Sequence, residues 1–304
     1  MLADQRTSLA VRGYTVVRGF LSDAPMDMLR EQSDAVLDGL PKQHRDEYKS
    51  QGSLVNLGDH PHYSHLIASP ELRELMRQLG FAGNRWLAGY LISKPPQSPA
   101  LFWHQDWWGW DHPMSYTDRL PGLGIMIYLS NTSIANGCLR VIPGSHRCQH
   151  RLHGLPVAHE QSLSHFEDPD DIAYQSDESE AAVEIEAGDV VLMDPRLLHS
   201  AYANQSNGER SLITLWYLPE FAALPETVQA RYVQIFNRQE LDTGDSAKGK
   251  LLDGWPEEHR QAVQNLEPKY NGRAEPHAWN RTPDQSRMLA SMDELAASYV
   301  AAKR

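Results

Sequence analysis

Two short stretches carry the residue types that could bind a metal. Leu101-Phe102-Trp103-His104-Gln105-Asp106 is apolar and aromatic, as a strand would be, and in a strand His104 and Asp106 point to one face. Far along the chain comes Asp194-Pro195-Arg196-Leu197-Leu198-His199. Two imidazoles and one carboxylate form the set that holds non-haem Fe(II) and leaves positions open for a cosubstrate and O₂. That chemistry would make the chain an oxygenase. His-x-Asp alone does not select the site, because it occurs twice. The other copy, His44-Arg45-Asp46, lies in the polar run from Pro41 to Gln51 and reads as a solvated loop.

Iron chemistry of this kind needs a two-electron donor. The keto acid 2-oxoglutarate would chelate the metal at one end and present a carboxylate at the other. The planar fork of an arginine grips such a carboxylate through two hydrogen bonds. Arg210 opens a run in which Arg210, Leu212, Thr214 and Trp216 share one face, while Ser211, Ile213 and Leu215 share the other. It follows His199 across the turn Asn204 to Glu209, so a hairpin can bring it beside the metal.

The elements that must position these residues fall into three zones. Residues 1–84 read as a mainly helical buttress. Tyr14 to Val17 forms a short strand, Ser22 caps a helix running to about Leu40, and Ser69-Pro70-Glu71 starts another that stops at Gly80. Residues 85–219 change period. Short apolar runs recur at Trp86 to Ile92, Leu101 to Trp108, Gly124 to Leu129 and Cys138 to Ile142. Four more follow at Val183 to Ile185, Val190 to Met193, His199 to Ala203 and Ser211 to Leu218. Turns such as Asn136-Gly137, Pro143-Gly144-Ser145 and Ala187-Gly188-Asp189 divide them.

This pattern predicts a jelly roll, two facing sheets with a cavity at the mouth. The expected fold is therefore mainly β with flanking helices around a double-stranded β-helix core. Residues 220–304 return to helix around Val228 to Phe236 and Met288 to Val300. The whole, 1–304, reads as one domain. Inside the core, His146 to Glu180 is a polar insert long enough to be a functional loop or lid.

Composition narrows the function. The 304 residues carry a formal charge of −12 and no basic stripe, which speaks against nucleic acid and gives no attraction to anionic membranes. No segment approaches a membrane span, and the first residues lack the apolar run of a signal peptide. Cys138 and Cys148 are too few for a disulfide framework and read as reduced thiols in a cytoplasmic protein. Neither charge nor spacing speaks to the oligomeric state.

Five motifs in fixed order extend the reading. These are Leu91-Ile92-Ser93-Lys94-Pro95-Pro96; His104-Gln105-Asp106; Asn136-Gly137-Cys138-Leu139 with Ile142-Pro143-Gly144-Ser145-His146; Gly188-Asp189; and His199 with Arg210. Over roughly Trp86 to Leu218 the chain resembles the phytanoyl-CoA dioxygenase family. The resemblance implies an Fe(II)- and 2-oxoglutarate-dependent oxygenase on a double-stranded β-helix. It places the iron ligands on His104, Asp106 and His199 and the 2-oxoglutarate arginine on Arg210. Tyr90 and Met126 fall on further cosubstrate positions. Many members carry a small hydroxyl residue two after the distal histidine; here that residue is Ala201, and Thr214 is the candidate to supply the missing hydrogen bond. Intact Asp106 speaks against a halogenase, in which halide takes the carboxylate's place.

Several features compete. His60-Pro61-His62-Tyr63-Ser64-His65 has spacing that binds zinc in metallo-β-lactamase-like hydrolases, although Ser64 stands where those enzymes carry Asp. It reads more simply as a loop leading into the Ser69 helix. His146, His150, His153, His159 and His165 form a third histidine group, irregularly spaced in polar surroundings and expected on a mobile surface segment. A non-catalytic jelly-roll binding protein would be expected to lose a ligand, and none is lost. Trp107, Trp108, Trp110 and Tyr116 follow the iron motif and are candidates for a pocket wall or lid, joined by Leu212 and Trp216. The expected reaction is hydroxylation of a small, fairly apolar biosynthetic metabolite. Arg147 and Arg151 keep an acyl-CoA in view, as two guanidiniums that could grip its phosphates.

Overall fold

The computed structural model describes residues 2–155, 161–237 and 252–302. Its strands are β1 (Tyr14–Val17), β2 (Val55–Asn56), β3 (Arg85–Lys94), β4 (Leu123–Tyr128), β5 (Leu139–Val141), β6 (Ala181–Val183), β7 (Val190–Met193), β8 (His199–Ala201) and β9 (Arg210–Leu218). They form a larger sheet in the order β1-β7-β4-β9-β3-β2 and a smaller one in the order β6-β5-β8. Every pairing is antiparallel. Helices α1 (Leu2–Arg12), α2 (Asp23–Asp38), α3 (Lys42–Glu47), α4 (Ser64–Ile67) and α5 (Pro70–Gln78) precede the core strands. Helix α6 (Gln161–His165) lies within the insert, and α7 (Glu226–Phe236), α8 (Glu257–Val263) and α9 (Met292–Ala302) follow.

Alternation sorts the two faces of the larger sheet. Ile125, Ile127, Val190, Leu192, Ile213, Leu215 and Tyr217 pack outward on Met26 and Leu29 of α2 and on Leu72, Leu75 and Met76 of α5. Met126, Tyr128, Val191, Met193 and Leu212 face inward onto Leu139, Val141 and Val183 of the smaller sheet. The two-sheet core is thus the jelly roll expected. The description "mainly β" is not established: helix makes up 37% of the described residues against 19% strand, and helices α2 and α5 pack on the outer face of the larger sheet.

Helix signals held to differing depth. Ser69 caps α5 as expected, its hydroxyl accepting from the Leu72 N–H at 3.1 Å. Ser22 stands at the start of α2 with extended backbone but makes no side-chain cap. Gly188, with φ +87°, sits so close to the Leu21 carbonyl that a Cβ would lie 2.6 Å from it. Its own carbonyl accepts from the Leu21 N–H, tying the β6–β7 turn to the loop before α2. Among the described residues, no helix is long and apolar enough to cross a membrane, and Cys138 and Cys148 are both buried free thiols.

One predicted strand is absent. Leu101 to Trp108 is extended but makes a single bridge, His104 with His199. The Leu101 N–H reaches the Ala201 carbonyl while the His104 N–H reaches the His199 carbonyl, so the register slips by one residue between them. A bulge of this kind breaks the ladder and re-aims the side chains beyond it. Apolar content alone does not reveal such a slip.

The insert also departs from its expected character. Leu163, Ala173 and Tyr174 pack on Phe102, and Leu152 packs with Trp103, Ile142 and Leu198. The Trp103 N–H bonds the Ala173 carbonyl at 2.7 Å, and its indole N–H bonds the Gln175 carbonyl at 2.8 Å. His146 and His153 are buried, not on a mobile surface. The anchors are single apolar residues without a period, so a pattern reading takes the stretch for polar loop. His159 lies outside the described residues.

Candidate active site

Among the described residues, one group of three or more His, Cys, Asp or Glu brings its ligand atoms within 4.8 Å of one another: His104, Asp106 and His199. The backbone achieves this. His104 and His199 exchange both N–H···O bonds across their bridge, each 3.0 Å, and their rings lie 4.1 Å apart between centroids. His104 Nδ1–H donates to the Phe102 carbonyl and His199 Nδ1–H to the Leu197 carbonyl, each at 3.0 Å and each two residues back. A carbonyl can only accept, so both protons sit on Nδ1 and both Nε2 lone pairs face the centre. Asp106 Oδ2 lies 3.2 Å from His199 Nε2, and Oδ1 lies 3.8 Å from His104 Nε2. Two imidazole Nε2 atoms and a carboxylate converging on one point fit a divalent metal, and the N,N,O set suits Fe(II).

Asp106 is held from behind. Its N–H and that of Trp107 both bond the Pro195 carbonyl at 2.9 Å. Pro195 is flanked by a buried ion pair in which Arg196 Nη2 lies 2.6 Å from Asp194 Oδ2 and Arg196 Nη1 donates to the Ser115 and Thr117 carbonyls. Burial alone would push the Asp194 carboxyl up, but the Arg196 guanidinium holds it below its ordinary value. Sequence reading named Asp194 and Arg196 only as neighbours of His199. Their role as a brace shows in the contacts.

The second half of the site lies inside the larger sheet. Tyr90, Thr214 and Met126 stand in one cross-strand row, Tyr90 paired with Thr214 and Thr214 with Met126. Leu212 lies beside Ile92 and Tyr128 in the next row, and Arg210 is paired with Lys94. Arg210 is 2% exposed, its guanidinium 5.8 Å from the Tyr128 ring centroid. Its Nε and Nη1, and Thr214 Oγ1, are buried without a hydrogen-bond partner among the described residues. A buried guanidinium with two unmet donors is costly unless an anion joins it. Lys94, fully buried, donates to the Ser50 carbonyl at 2.7 Å; burial drives its pKa well down, as do the Arg210 and Arg140 charges. Lys94 was visible in a motif, yet nothing in its spacing marked it as a buried cation. Two unmet donors on Arg210, on the same strand face as the Thr214 hydroxyl, fit a dicarboxylate such as 2-oxoglutarate.

The aromatic candidates separate. Trp107 and Trp110 are 3% and 1% exposed and belong to a core cluster with Leu218, Phe221, Val228 and Tyr232, so they are packing residues and not an open wall. Trp108 and Trp216 are half-buried, and Trp216 packs where Gly124 leaves room, a Cβ there lying 3.0 Å from the indole. Ala201 is buried on β8 opposite Leu139. The histidines of the zinc reading do not converge as a ligand group: His60 and His62 lie 5.7 Å apart between rings, and His65 faces His259 at 5.5 Å. Arg147 is ion-paired with Asp118, and Arg151 with Asp177 at 2.6 Å.

A jelly roll carrying a two-histidine, one-carboxylate centre beside a buried arginine defines the class of Fe(II)/2-oxoglutarate oxygenases. The family model described as "Phytanoyl-CoA dioxygenase (PhyH)" matches residues 10–212, and the chain belongs to this family. It is 25% identical over 234 residues to the "Probable alpha-ketoglutarate-dependent hypophosphite dioxygenase" of Stutzerimonas stutzeri, covering 71% of this chain and 78% of that protein. It is 28% identical over 128 residues to phytanoyl-CoA dioxygenase 1 of Oryza sativa subsp. japonica, covering 41% of each. Among solved structures it resembles the non-heme alpha ketoglutarate dependent epimerase SnoN from nogalamycin biosynthesis. That likeness has a TM-score of 0.54 at 18% identity and covers 71% of this chain and 82% of SnoN. It also resembles EctD from S. alaskensis with 2-oxoglutarate and 5-hydroxyectoine, with a TM-score of 0.51 at 20% identity, covering 71% and 76%. The enzyme is a non-haem Fe(II) dioxygenase with 2-oxoglutarate and O₂ as cosubstrates.

Proposed function

We propose that His104, Asp106 and His199 hold the iron, that Arg210 with Thr214, Tyr90 and Met126 seats 2-oxoglutarate, and that the reaction is hydroxylation of a C–H bond in a small biosynthetic metabolite. The observation that carries the reading is the pair of Nδ1 anchors, which turn both imidazole Nε2 atoms toward Asp106. Iron and 2-oxoglutarate, when bound, supply a two-electron oxidation of substrate by O₂, with succinate and CO₂ as coproducts. The chain's own part is placement. Arg210 and Lys94 draw the distal carboxylate into the barrel, and Thr214 Oγ1 offers the hydrogen bond that Ala201 cannot. Trp108 and Trp216 border the substrate side. The helical regions 1–84 and 220–304 belong to the same unit in this reading, since Thr7 meets Tyr299 and the Asn280 carbonyl accepts from Trp110.

A small substrate is favoured over an acyl-CoA because Arg147 and Arg151 already have carboxylate partners. The hypophosphite-dioxygenase relative, named for a very small substrate, supports the same choice of size. Anaerobic addition of Fe(II) and then 2-oxoglutarate should give the visible charge-transfer band of a chelated keto acid. His199→Ala should abolish that band, while His60→Ala and His62→Ala leave it intact. The reverse pattern of metal loss would overturn the assignment.

A further inference from the structure

The region beyond the jelly roll reaches back to the iron ligands. Asn280 bridges Gly109, its N–H bonding the Trp108 carbonyl at 2.8 Å, and the Trp110 N–H bonds the Asn280 carbonyl at 3.1 Å. Helix α7 fixes this segment from the other side. The Arg231 guanidinium lies 4.8 Å over the Trp279 ring and its Nε donates to the His277 carbonyl at 2.6 Å. Trp279 meets Trp108 edge to face at 5.3 Å, and the Arg281 guanidinium lies 3.8 Å from the centroid of Trp108 on the same ladder. Arg281 thus enters a neighbourhood two residues from Asp106. The Asp106 carboxylate is near enough to act on the Arg281 charge.

Two donors meet here. Stacking uses the face of a guanidinium, whereas its N–H groups lie in the plane and serve acceptors. Beside it, the Trp108 indole N–H is buried with no hydrogen-bond partner among the described residues. A cation and an unmet N–H side by side favour a group that only accepts and carries negative charge. With the Asp106 carboxylate engaged by a metal, Arg281 would share its counter-charge, and an anion placed here would supply another.

We propose that Arg281 and the Trp108 indole N–H form the substrate subsite of this oxygenase, and that the substrate carries an oxyanion, a carboxylate or a phosphorus oxyanion, held there beside the iron. The proposal rests on the assignment of Asp106 to iron, and it adds an anionic group to the small, fairly apolar substrate expected from the tryptophans.

The test uses the full chain loaded anaerobically with Fe(II) and 2-oxoglutarate, whose visible band reports ligands entering the site. Phenylacetate, phenylphosphonate and hypophosphite are titrated, with phenylacetamide as the uncharged control. Wild type should bind at least one oxyanion about tenfold or more tighter than the amide. Arg281→Leu should lose that preference, Arg281→Lys should keep part of it, and Trp108→Phe should weaken it a few-fold. The Kd of 2-oxoglutarate should stay unchanged throughout. Equal binding of amide and carboxylate, undiminished oxyanion binding by Arg281→Leu, or no response to any oxyanion in a wild type that forms the band would each overturn the proposal. A wild type that forms no band fails the iron assignment instead. Calorimetric titration of the same probes into wild type and Arg281→Lys then decides the anion subsite separately.

Discussion

At the residue scale the site is a problem of unmet polar groups, and its predictions follow from them. Arg210 has two buried donors without partners among the described residues, so removing it should strip the cosubstrate of its counter-charge. Arg210→Ala should raise the KM for 2-oxoglutarate by at least about thirtyfold, the lower end of the roughly 2–5 kcal/mol lost when one member of a buried charge pair is truncated. Succinate formation against 2-oxoglutarate concentration checks this; an unchanged curve would place the cosubstrate elsewhere. Thr214→Val keeps the shape and removes the hydroxyl, and should raise the same KM several-fold, about 1 kcal/mol for one neutral hydrogen bond. The ligand triad and Arg210 were legible because chemistry and strand register restrict them together. Lys94 and Arg281 were not, since a lone cation in a sequence carries no sign of burial, and the position of Arg281 is set by a contact across 173 residues with Trp108.

At the element scale, most strands could be placed to within a residue or two from apolar runs and turn chemistry. β3 and β9 are the longest, while β4 and β7, buried at every position, read as unbroken apolar runs between turns. The failure fell where function is concentrated. The segment carrying His104 and Asp106 lacks a regular ladder and is held instead by the insert through Trp103. Leu152→Ala, opening a cavity beside Trp103, should cost about 2–5 kcal/mol in urea denaturation. It should also weaken Fe(II) affinity, because the clamp on the ligand segment loosens. A destabilised variant with unaltered Fe(II) affinity would show that the insert supports the fold without positioning the ligands.

At the scale of the whole molecule, acid should loosen the structure before carboxylates titrate. Burial lowers His146 and His153 to about 4. The unfolded chain, with histidines near 6.5, binds more protons between those values. Stability from these groups is therefore complete above about pH 6.5 and falls as pH drops toward 4, by up to about 3 kcal/mol for each. The urea midpoint should decline across that window, and His153→Leu should remove about half of the slope. A flat midpoint from pH 7 to 4.5 would contradict the burial of both rings. His146 Nε2–H donates to the Ala10 carbonyl at the end of α1, so the first helix is the place where loosening should begin.

The reciprocal bridge between His104 and His199 has a further consequence. It sets both histidines through backbone hydrogen bonds, and the Nδ1 anchors set their rings, with contacts made wholly by the chain itself. A cradle set in advance has no folding step by which to reject an unsuitable ion, and nitrogen and oxygen donors bind nickel, copper and zinc more tightly than ferrous iron. Occupancy is therefore decided by supply. Protein taken from cells should carry whichever foreign divalent ion it last encountered, in elemental analysis, and should be silent toward O₂ until a chelator has stripped it. Ferrous iron, offered afterwards under a reductant, should then wake a chain that was fully folded throughout.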